Sequence, residues 1–133
     1  MNHLEIEQLT KTYRGASQAA VKSAAFSLTK GELLTIVGES GSGKTTLLRL
    51  LAGLESPDEG TITLDGTIIS APGRLLAPER RGIGMVFQHH ALFPHLTVER
   101  NIAFGIRKLP RGERREIIGG LLDLVGLPGF GKR

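Results

Sequence analysis

From His3 to Tyr13 and again from Ala20 to Lys30, the runs HLEIEQLTKTY and AVKSAAFSLTK partly alternate apolar with polar residues, the period of strands with one buried face. They predict two antiparallel strands joined by a turn around Arg14, Gly15 and Ala16. In GELLTIVG the pattern changes: Leu33 to Val37 is continuously apolar and β-branched, as in a strand buried on both faces of a mainly parallel sheet. The period changes again in TTLLRLLAGL, where Leu47, Leu48, Leu50, Leu51 and Leu54 fall at helical spacing and Gly53 supplies a terminator. GTITLDGTIIS predicts a hairpin turning at Asp65 and Gly66, because Asp-Gly is a strong two-residue turn signal. SAPGRLLAPERRG reads as loop, and IGMVF, Ile83 to Phe87, as a second short buried strand. LTVERNIAFGIRKL and RREIIGGLLDLVGL read as amphipathic helices, separated at Pro110, with Gly126 closing the second. The chain shows neither an internal repeat nor a low-complexity tract.

Composition narrows the class. A length of 133 residues, 40% hydrophobic and 23% charged, suits one soluble globular domain. With no cysteine, neither a disulfide framework nor a thiolate metal site can form. The N-terminal residues lack the basic and apolar regions of a secretory signal, and no apolar run reaches the roughly 18 residues that span a bilayer. The expected location is cytoplasmic, with any membrane association supplied by a partner. The net charge of +4 is concentrated in Arg74, Arg80, Arg81 and the segment RKLPRGERR, Arg107 to Arg115. Aromatics are 5%, with no Trp and one Tyr, so no stacking platform accompanies these cations. The surplus reads as a solvated helix face or docking rim, and nucleic acid is not an expected partner.

The chemistry lies where the apolar strand pattern meets the helix. Gly38-Glu39-Ser40-Gly41-Ser42-Gly43-Lys44-Thr45 matches G-x-x-x-x-G-K-[ST] in a strand-to-helix context. Glycines let the loop turn without Cβ clashes, so successive backbone N–H groups face inward, and the helix beginning near Lys44 adds its positive dipole end. Lys44 can neutralise β/γ-phosphate charge, Thr45 can offer a hydroxyl to Mg²⁺, and Thr46 can donate toward the α-phosphate. The alternative is an ordinary Gly-rich turn.

Together with that loop, LEIEQLTKTYRG, ELLTIVGESGSGKTTLLRLLAGLESPDEGTITLDG and IGMVFQHHALFPHLTVERNIAFG resemble the ATP-binding subunit of ABC transporters over essentially the whole chain. GMVFQ…LFPHLTVERNIAFG looks most like importers for iron(III), spermidine/putrescine and related small solutes. The resemblance implies an α/β P-loop NTPase core with an N-terminal antiparallel β-subdomain. It divides the chain into a nucleotide-binding core, 1–87, and a part with the Q-loop and the beginning of the helical subdomain, 88–133.

Site residues follow from the same resemblance. ATP is expected on Tyr13, Gly38, Ser40, Gly41, Ser42, Gly43, Lys44, Thr45 and Thr46, and Mg²⁺ on Thr45 and Gln88. Tyr13 occupies the A-loop position whose aromatic ring stacks on adenine; its bland reading is a strand-end tyrosine packed on its neighbours. Gln88 occupies the Q-loop position, where a neutral amide positions Mg²⁺ or the attacking water without abstracting a proton. The alternative is a polar strand-end residue capping backbone. Lys44 and Gln88 are the residues placed in catalysis.

His89, His90 and His95 invite a metal reading, yet none has a partner at i, i+4 spacing and no cysteine or acidic set joins them. The resemblance instead puts HHALFPHLTV on the surface that receives a short coupling helix of the transmembrane permease subunit. Leu92, Phe93 and Pro94 would line its groove. A small satellite core is the competing reading.

Past GLPGFGKR the family continues into its LSGGQ-like signature, the Walker B aspartate with the catalytic glutamate, the D-loop and the switch histidine. Glu113 and Glu116 lie on a polar helix face and cannot replace that base. The chain is therefore expected to be an N-terminal piece that binds ATP without useful turnover, and to be marginally stable or prone to self-association. The whole subunit would hydrolyse MgATP as a head-to-tail dimer on the cytoplasmic face of the cell membrane, working with the permease and a periplasmic or extracellular solute-binding protein. A soluble, non-transport ABC-type ATPase is the reading from another class.

Overall fold

The computed structural model describes residues 2–89 and 91–133. It divides into two compact units, residues 1–85 and 86–133. The first unit is built on a five-stranded antiparallel sheet. Its strands are β1 (Leu4–Lys11), β2 (Val21–Leu28), β3 (Glu59–Leu64), β4 (Thr67–Ala71) and β5 (Arg74–Leu75), in the order β2-β1-β3-β4-β5.

Both expected hairpins form. β1 pairs with β2 from Leu4↔Leu28 to Lys11↔Val21, with register irregularities on either side of Leu9. Gln8 and Ser23 stand near those irregularities in the left-handed region, at φ 48° and 47°. The β3–β4 hairpin turns at Asp65 (φ 47°) and Gly66 (φ 75°), both left-handed as a two-residue type I′ turn requires.

Helix α1, Lys44–Ala52, is capped by Gly43 and Gly53, both left-handed. Leu47 and Leu50 of α1 join Ile6, Leu9, Val21, Ile62 and Ile69 of the sheet in one buried cluster. Leu48 stays 45% exposed, as does Leu54 beyond the Gly53 cap, so the apolar face of this short helix is narrower than the leucine run suggests.

Two expectations fail at the level of elements. Residues 33–37 and 83–87 carry no regular secondary structure. Leu33 and Val37 are 91% and 89% exposed, and Val86 is 95% exposed. A strand apolar on both faces needs hydrogen-bonded neighbours and two covering layers. Among the described residues the sheet is wholly antiparallel and includes neither segment. Each contributes one residue, Ile36 or Ile83, to the edge of the core.

SAPGRLLAPERRG is also more ordered than expected, containing β5 and a 3₁₀ turn at Pro78–Arg80. Its surprise is Arg81, 4% exposed rather than on a solvated rim. The guanidinium donates five hydrogen bonds: Nε to Leu76 O (2.8 Å), Nη1 to Leu50 O (3.1 Å) and Leu51 O (2.9 Å), and Nη2 to Ile69 O (3.1 Å) and Ser70 Oγ (2.7 Å). Five donors and five acceptors leave nothing unsatisfied. Leu50 and Leu51 are in the last turn of α1, whose carbonyls lack i+4 helical partners and attract a cation; Leu50 O also accepts from the capping Gly53 N–H at 3.2 Å. Gly53 is needed here for a second reason, since a Cβ at that position would collide with the guanidinium.

The second unit holds α2 (Val98–Gly105), α3 (Arg111–Leu124) and a closing 3₁₀ turn at Phe130–Lys132. Thr97 caps α2, its Oγ1 accepting from Arg100 N–H at 3.4 Å. Pro110 precedes α3, and the left-handed Gly126 follows it, as expected. Val98 N–H donates to Arg133 O at 2.8 Å, and Gly131 is buried against Glu99 and Leu122.

Two stability outcomes follow. Arg81→Ala should destabilise the chain by about 3 kcal/mol, because several buried carbonyls lose their donors together. Arg81→Lys, with fewer donors and no fork, should fall between. Urea unfolding measures both, and an unchanged Arg81→Ala midpoint would refute the clamp. Glu32 accepts from Thr29 N–H (2.8 Å) and Asp58 from Thr12 N–H (2.7 Å), and each carboxyl is held below its ordinary pKa chiefly by that backbone hydrogen bond. Depressed carboxylates contribute stability that is complete above their unfolded pKa values of about 4 and is lost as pH falls through the lower folded values. The Glu32→Gln/Asp58→Asn double variant should therefore show a shallower loss of stability below about pH 4, read from acid unfolding curves.

Candidate functional site

The loop from Gly38 to Gly43 wraps the Lys44 amine. Nζ donates to Gly38 O at 2.7 Å, Glu39 O at 2.5 Å and Ser42 Oγ at 3.2 Å. A lysine has three N–H donors, so the loop satisfies the whole ammonium with its own oxygens. Ser42 N–H closes a turn on Glu39 O at 3.2 Å. Gly43, at φ 92°, is the tightest point: a Cβ there would collide with the Ala20 carbonyl, so the loop and the residue just before β2 approach at a distance only glycine permits.

The start of α1 suits an anion. No side chain caps it and no acidic residue lies in its first turn, leaving the first N–H groups and the dipole for a ligand. Thr45 is exposed and Thr46 half-buried. Gly38, Glu39, Ser40, Gly41 and Ser42 are exposed too, which keeps the cradle open.

Tyr13 comes to the same place. It lies two residues past β1, is 36% exposed, and its hydroxyl lies 3.4 Å from Thr46 Oγ1 and donates to Glu55 Oε1 at 3.4 Å. The A-loop candidate and the phosphate-loop helix are therefore neighbours, although 33 residues separate Tyr13 from Thr46.

Residues outside any motif hold this arrangement. Asp58, just before β3, accepts from Thr12 N–H at 2.7 Å and from Lys11 Nζ at 3.3 Å, while its own N–H donates to Thr10 O at 2.9 Å. Lys11 Nζ in turn lies 5.9 Å from the Tyr13 ring centroid. In sequence, Ser56-Pro57-Asp58-Glu59-Gly60 signals only a turn. Its partners lie 46 and 47 residues away, and no local signal encodes them.

The remaining site residues belong to the second unit. Gln88 is exposed on a bend. His90 lies outside the described residues, and among those described no group of three or more His, Asp or Glu side chains could hold a metal. Leu92 is 73% exposed, and Pro94 is exposed. Phe93 packs on Phe104 of α2 at a centroid distance of 4.6 Å, with the His95 ring edge-on at 6.1 Å. A small aromatic cluster therefore exists here, and both of its phenylalanines remain partly open, at 39% and 49% exposure.

Asn101, which sequence reasoning passed over, organises this loop. Its Oδ1 accepts from Phe93 N–H at 2.8 Å, and Nδ2 donates to Phe93 O, Leu96 O and Thr97 O at 3.0–3.1 Å. A polar residue one turn after the Thr97 cap, on a helix flank facing Leu-Phe-Pro, is the only local hint of that role.

Comparison with known proteins places the chain in a family. The chain is 48% identical to the putrescine transport ATP-binding protein PotG of Escherichia coli (strain K12), covering 98% of this chain and 33% of that protein. It is 48% identical to the sulfate/thiosulfate import ATP-binding protein CysA of Mycobacterium tuberculosis (strain ATCC 25618 / H37Rv), over 92% of this chain and 34% of that protein. It is 40% identical to the spermidine/putrescine import ATP-binding protein PotA of Lawsonia intracellularis, over 98% and 34%. The chain thus spans about a third of the length of the curated relatives it matches. Among solved structures, the dimeric post-hydrolysis state of the ATP-binding cassette MJ0796 bound to ADP and Pi matches with a TM-score of 0.76 at 24% identity, covering 98% of this chain and 60% of that one. That likeness establishes the α/β ATP-binding cassette fold, even though residues 33–37 and 83–87 are not strands here. The family model for ABC transporters matches residues 21–133, and the chain belongs to that family.

Proposed function

We propose that this chain is the nucleotide-binding part of an ABC importer's ATP-binding subunit, and that the whole subunit couples MgATP hydrolysis to solute uptake. The observation that carries the reading is the glycine-rich loop folded around Lys44 at an uncapped helix start, with the Tyr13 hydroxyl 3.4 Å from Thr46. The relatives named for putrescine, sulfate/thiosulfate and spermidine/putrescine support the importer class without fixing a solute.

In this reading the ATP phosphates take the place of loop oxygens at Lys44. The backbone of Gly38, Ser40, Gly41, Ser42 and Gly43 surrounds the phosphates, with Thr46 alongside. Thr45 would offer its hydroxyl, and Gln88 its amide oxygen, to Mg²⁺, which would supply neutralisation of phosphate charge. Tyr13 offers its face to the base. Residues 1–87 form the nucleotide core, and 88–133 begin the helical part. Leu92, Phe93 and Pro94, on the loop that Asn101 pins, receive the permease. The full subunit pairs head to tail on the cytoplasmic membrane face, and a solute-binding protein completes the importer. Among the described residues no helix is long and apolar enough to cross a membrane.

Lys44→Ala removes a charge-assisted contact of about 2–3 kcal/mol, so MgATP affinity should fall about 30- to 150-fold by calorimetry. Equal affinities would overturn the assignment. Tyr13→Ala should weaken ATP and GTP together while Tyr13→Trp is tolerated, because every purine offers a π face. Unchanged affinity for both nucleotides in Tyr13→Ala would remove Tyr13 from the site.

A further inference from the structure

Tyr13 stands on a segment with little else to hold it. Past Lys11 the chain leaves β1, and Thr12 through Gln18 are all exposed. The next backbone hydrogen bonds in this stretch are Ala16 N–H to Tyr13 O (3.0 Å) and Ala20 N–H to Lys11 O (2.8 Å). An exposed aromatic on such a segment would sample many orientations, and each must be given up when a base stacks on it.

Asp58 restricts that freedom at three consecutive residues. Its N–H takes Thr10 O, one carboxylate oxygen takes Thr12 N–H, and the other takes Lys11 Nζ, whose ammonium reaches to within 5.9 Å of the Tyr13 ring. The Thr12 contact, at 2.7 Å, is a charge-assisted bond to the amide immediately before Tyr13. From the other side, the Tyr13 hydroxyl donates to Glu55 Oε1 and lies 3.4 Å from Thr46 Oγ1. The ring is therefore set by a tether at its backbone and a contact at its tip.

We propose that Asp58 is a positioning residue for base binding: its carboxylate tethers Lys11 and Thr12 and so holds the Tyr13 ring ready to stack on the adenine of ATP. This rests on the nucleotide reading of the site, and it separates affinity into two sources. The phosphate loop acts on any polyphosphate, whereas the Asp58 tether acts only on ligands that carry a base.

The test is calorimetric titration of the chain with MgATP and with magnesium tripolyphosphate, which has the charge and no base, for the parent chain, Asp58→Ala, Asp58→Asn, Tyr13→Ala and the Asp58→Ala/Tyr13→Ala pair. Asp58→Ala should weaken MgATP about 3- to 10-fold, the worth of one aromatic stack, and leave tripolyphosphate within about twofold. Asp58→Asn keeps an oxygen for the Thr12 amide and should restore most of the loss. The double variant should bind ATP no more weakly than Tyr13→Ala alone, because the tether works through that ring. The chain has one Tyr and no Trp, so its intrinsic fluorescence reports Tyr13 alone. Acrylamide quenching of that emission should rise in Asp58→Ala before any ligand is added, and fall back in Asp58→Asn.

Several results would overturn the tether. One is a loss in Asp58→Ala shared equally by ATP and tripolyphosphate, which marks a general structural role. Others are unchanged ATP affinity in a folded Asp58→Ala, or losses that add independently to those of Tyr13→Ala. If Asp58→Ala does not fold, quenching and ATP affinity in Asp58→Asn decide, since failure of both to track the parent chain rejects the carboxylate-oxygen tether. A parent chain that takes up neither ligand rejects the nucleotide reading, whereas one that binds both without an Asp58 effect rejects only the tether.

Discussion

A buried guanidinium holds the first unit together. Helix α1 has nine residues, about 13 Å from end to end by helical rise, and bears the phosphate loop at its N-terminus. At its other end Arg81 binds the carbonyls of Leu50 and Leu51 while also binding Ile69 O and Ser70 Oγ of β4 and Leu76 O just past β5. A cation this deeply buried usually has a carboxylate partner. Here partial charges suffice, because the last-turn carbonyls of Leu50 and Leu51 lack i+4 helical partners, Leu50 O having only the Gly53 N–H at 3.2 Å besides, and burial merely lowers the pKa of a group that stays protonated. The clamp acts at the end of α1 away from the ligand loop, so it fixes the helix to the sheet without competing for an anion.

How legible each feature was in the sequence follows from the distance over which its cause acts. The β3–β4 hairpin depends on Asp65 and Gly66, two adjacent residues with left-handed backbones, and those residues announce it. Thr97, Pro110, Gly53 and Gly126 mark helix ends by equally local chemistry. Leu33 to Val37 and Ile83 to Phe87 are different. Their apolar runs state that something should cover both faces, but a strand exists only if neighbours supply the other half of each hydrogen bond. Without such pairing, Leu33, Val37 and Val86 stand in solvent and only Ile36 and Ile83 find the core.

The site divides in the same way. Gly38 to Thr45 is contiguous, so its motif could be read directly, and the loop encloses the Lys44 ammonium with its own oxygens. Tyr13 could be assigned only through a family resemblance, and its nearness to Thr46 arises because β1 and α1 pack in one core. Asp58 and Arg81 escaped notice because both looked like loop charges. An aspartate after proline is ordinary turn chemistry, and Arg81 follows another arginine in a run with the composition of a solvated rim. Deciding partners, the Thr12 amide for Asp58 and the Leu50 and Leu51 carbonyls for Arg81, lie 30 or more residues away, which composition cannot show.

The self-satisfied Lys44 sets the terms on which an anion enters. All three ammonium hydrogens are already used by Gly38 O, Glu39 O and Ser42 Oγ, so a phosphate gains nothing from an idle cation and must displace at least one of these oxygens. The exchange is still favourable: a phosphate oxygen carries formal charge, and charge-assisted bonds are roughly twice as strong as bonds to neutral acceptors. The carbonyls of Gly38 and Glu39 then lose their donor, but both residues are exposed and water can replace it. The net gain is therefore a difference between two hydrogen-bonded states, smaller than a bare lysine–phosphate attraction would give, and it grows with the ligand's charge. A monovalent anion replaces the loop oxygens at little advantage, whereas a polyphosphate engages Lys44 and the free N–H groups at the start of α1 together. The closed loop thereby selects for polyvalent anions before any base is read.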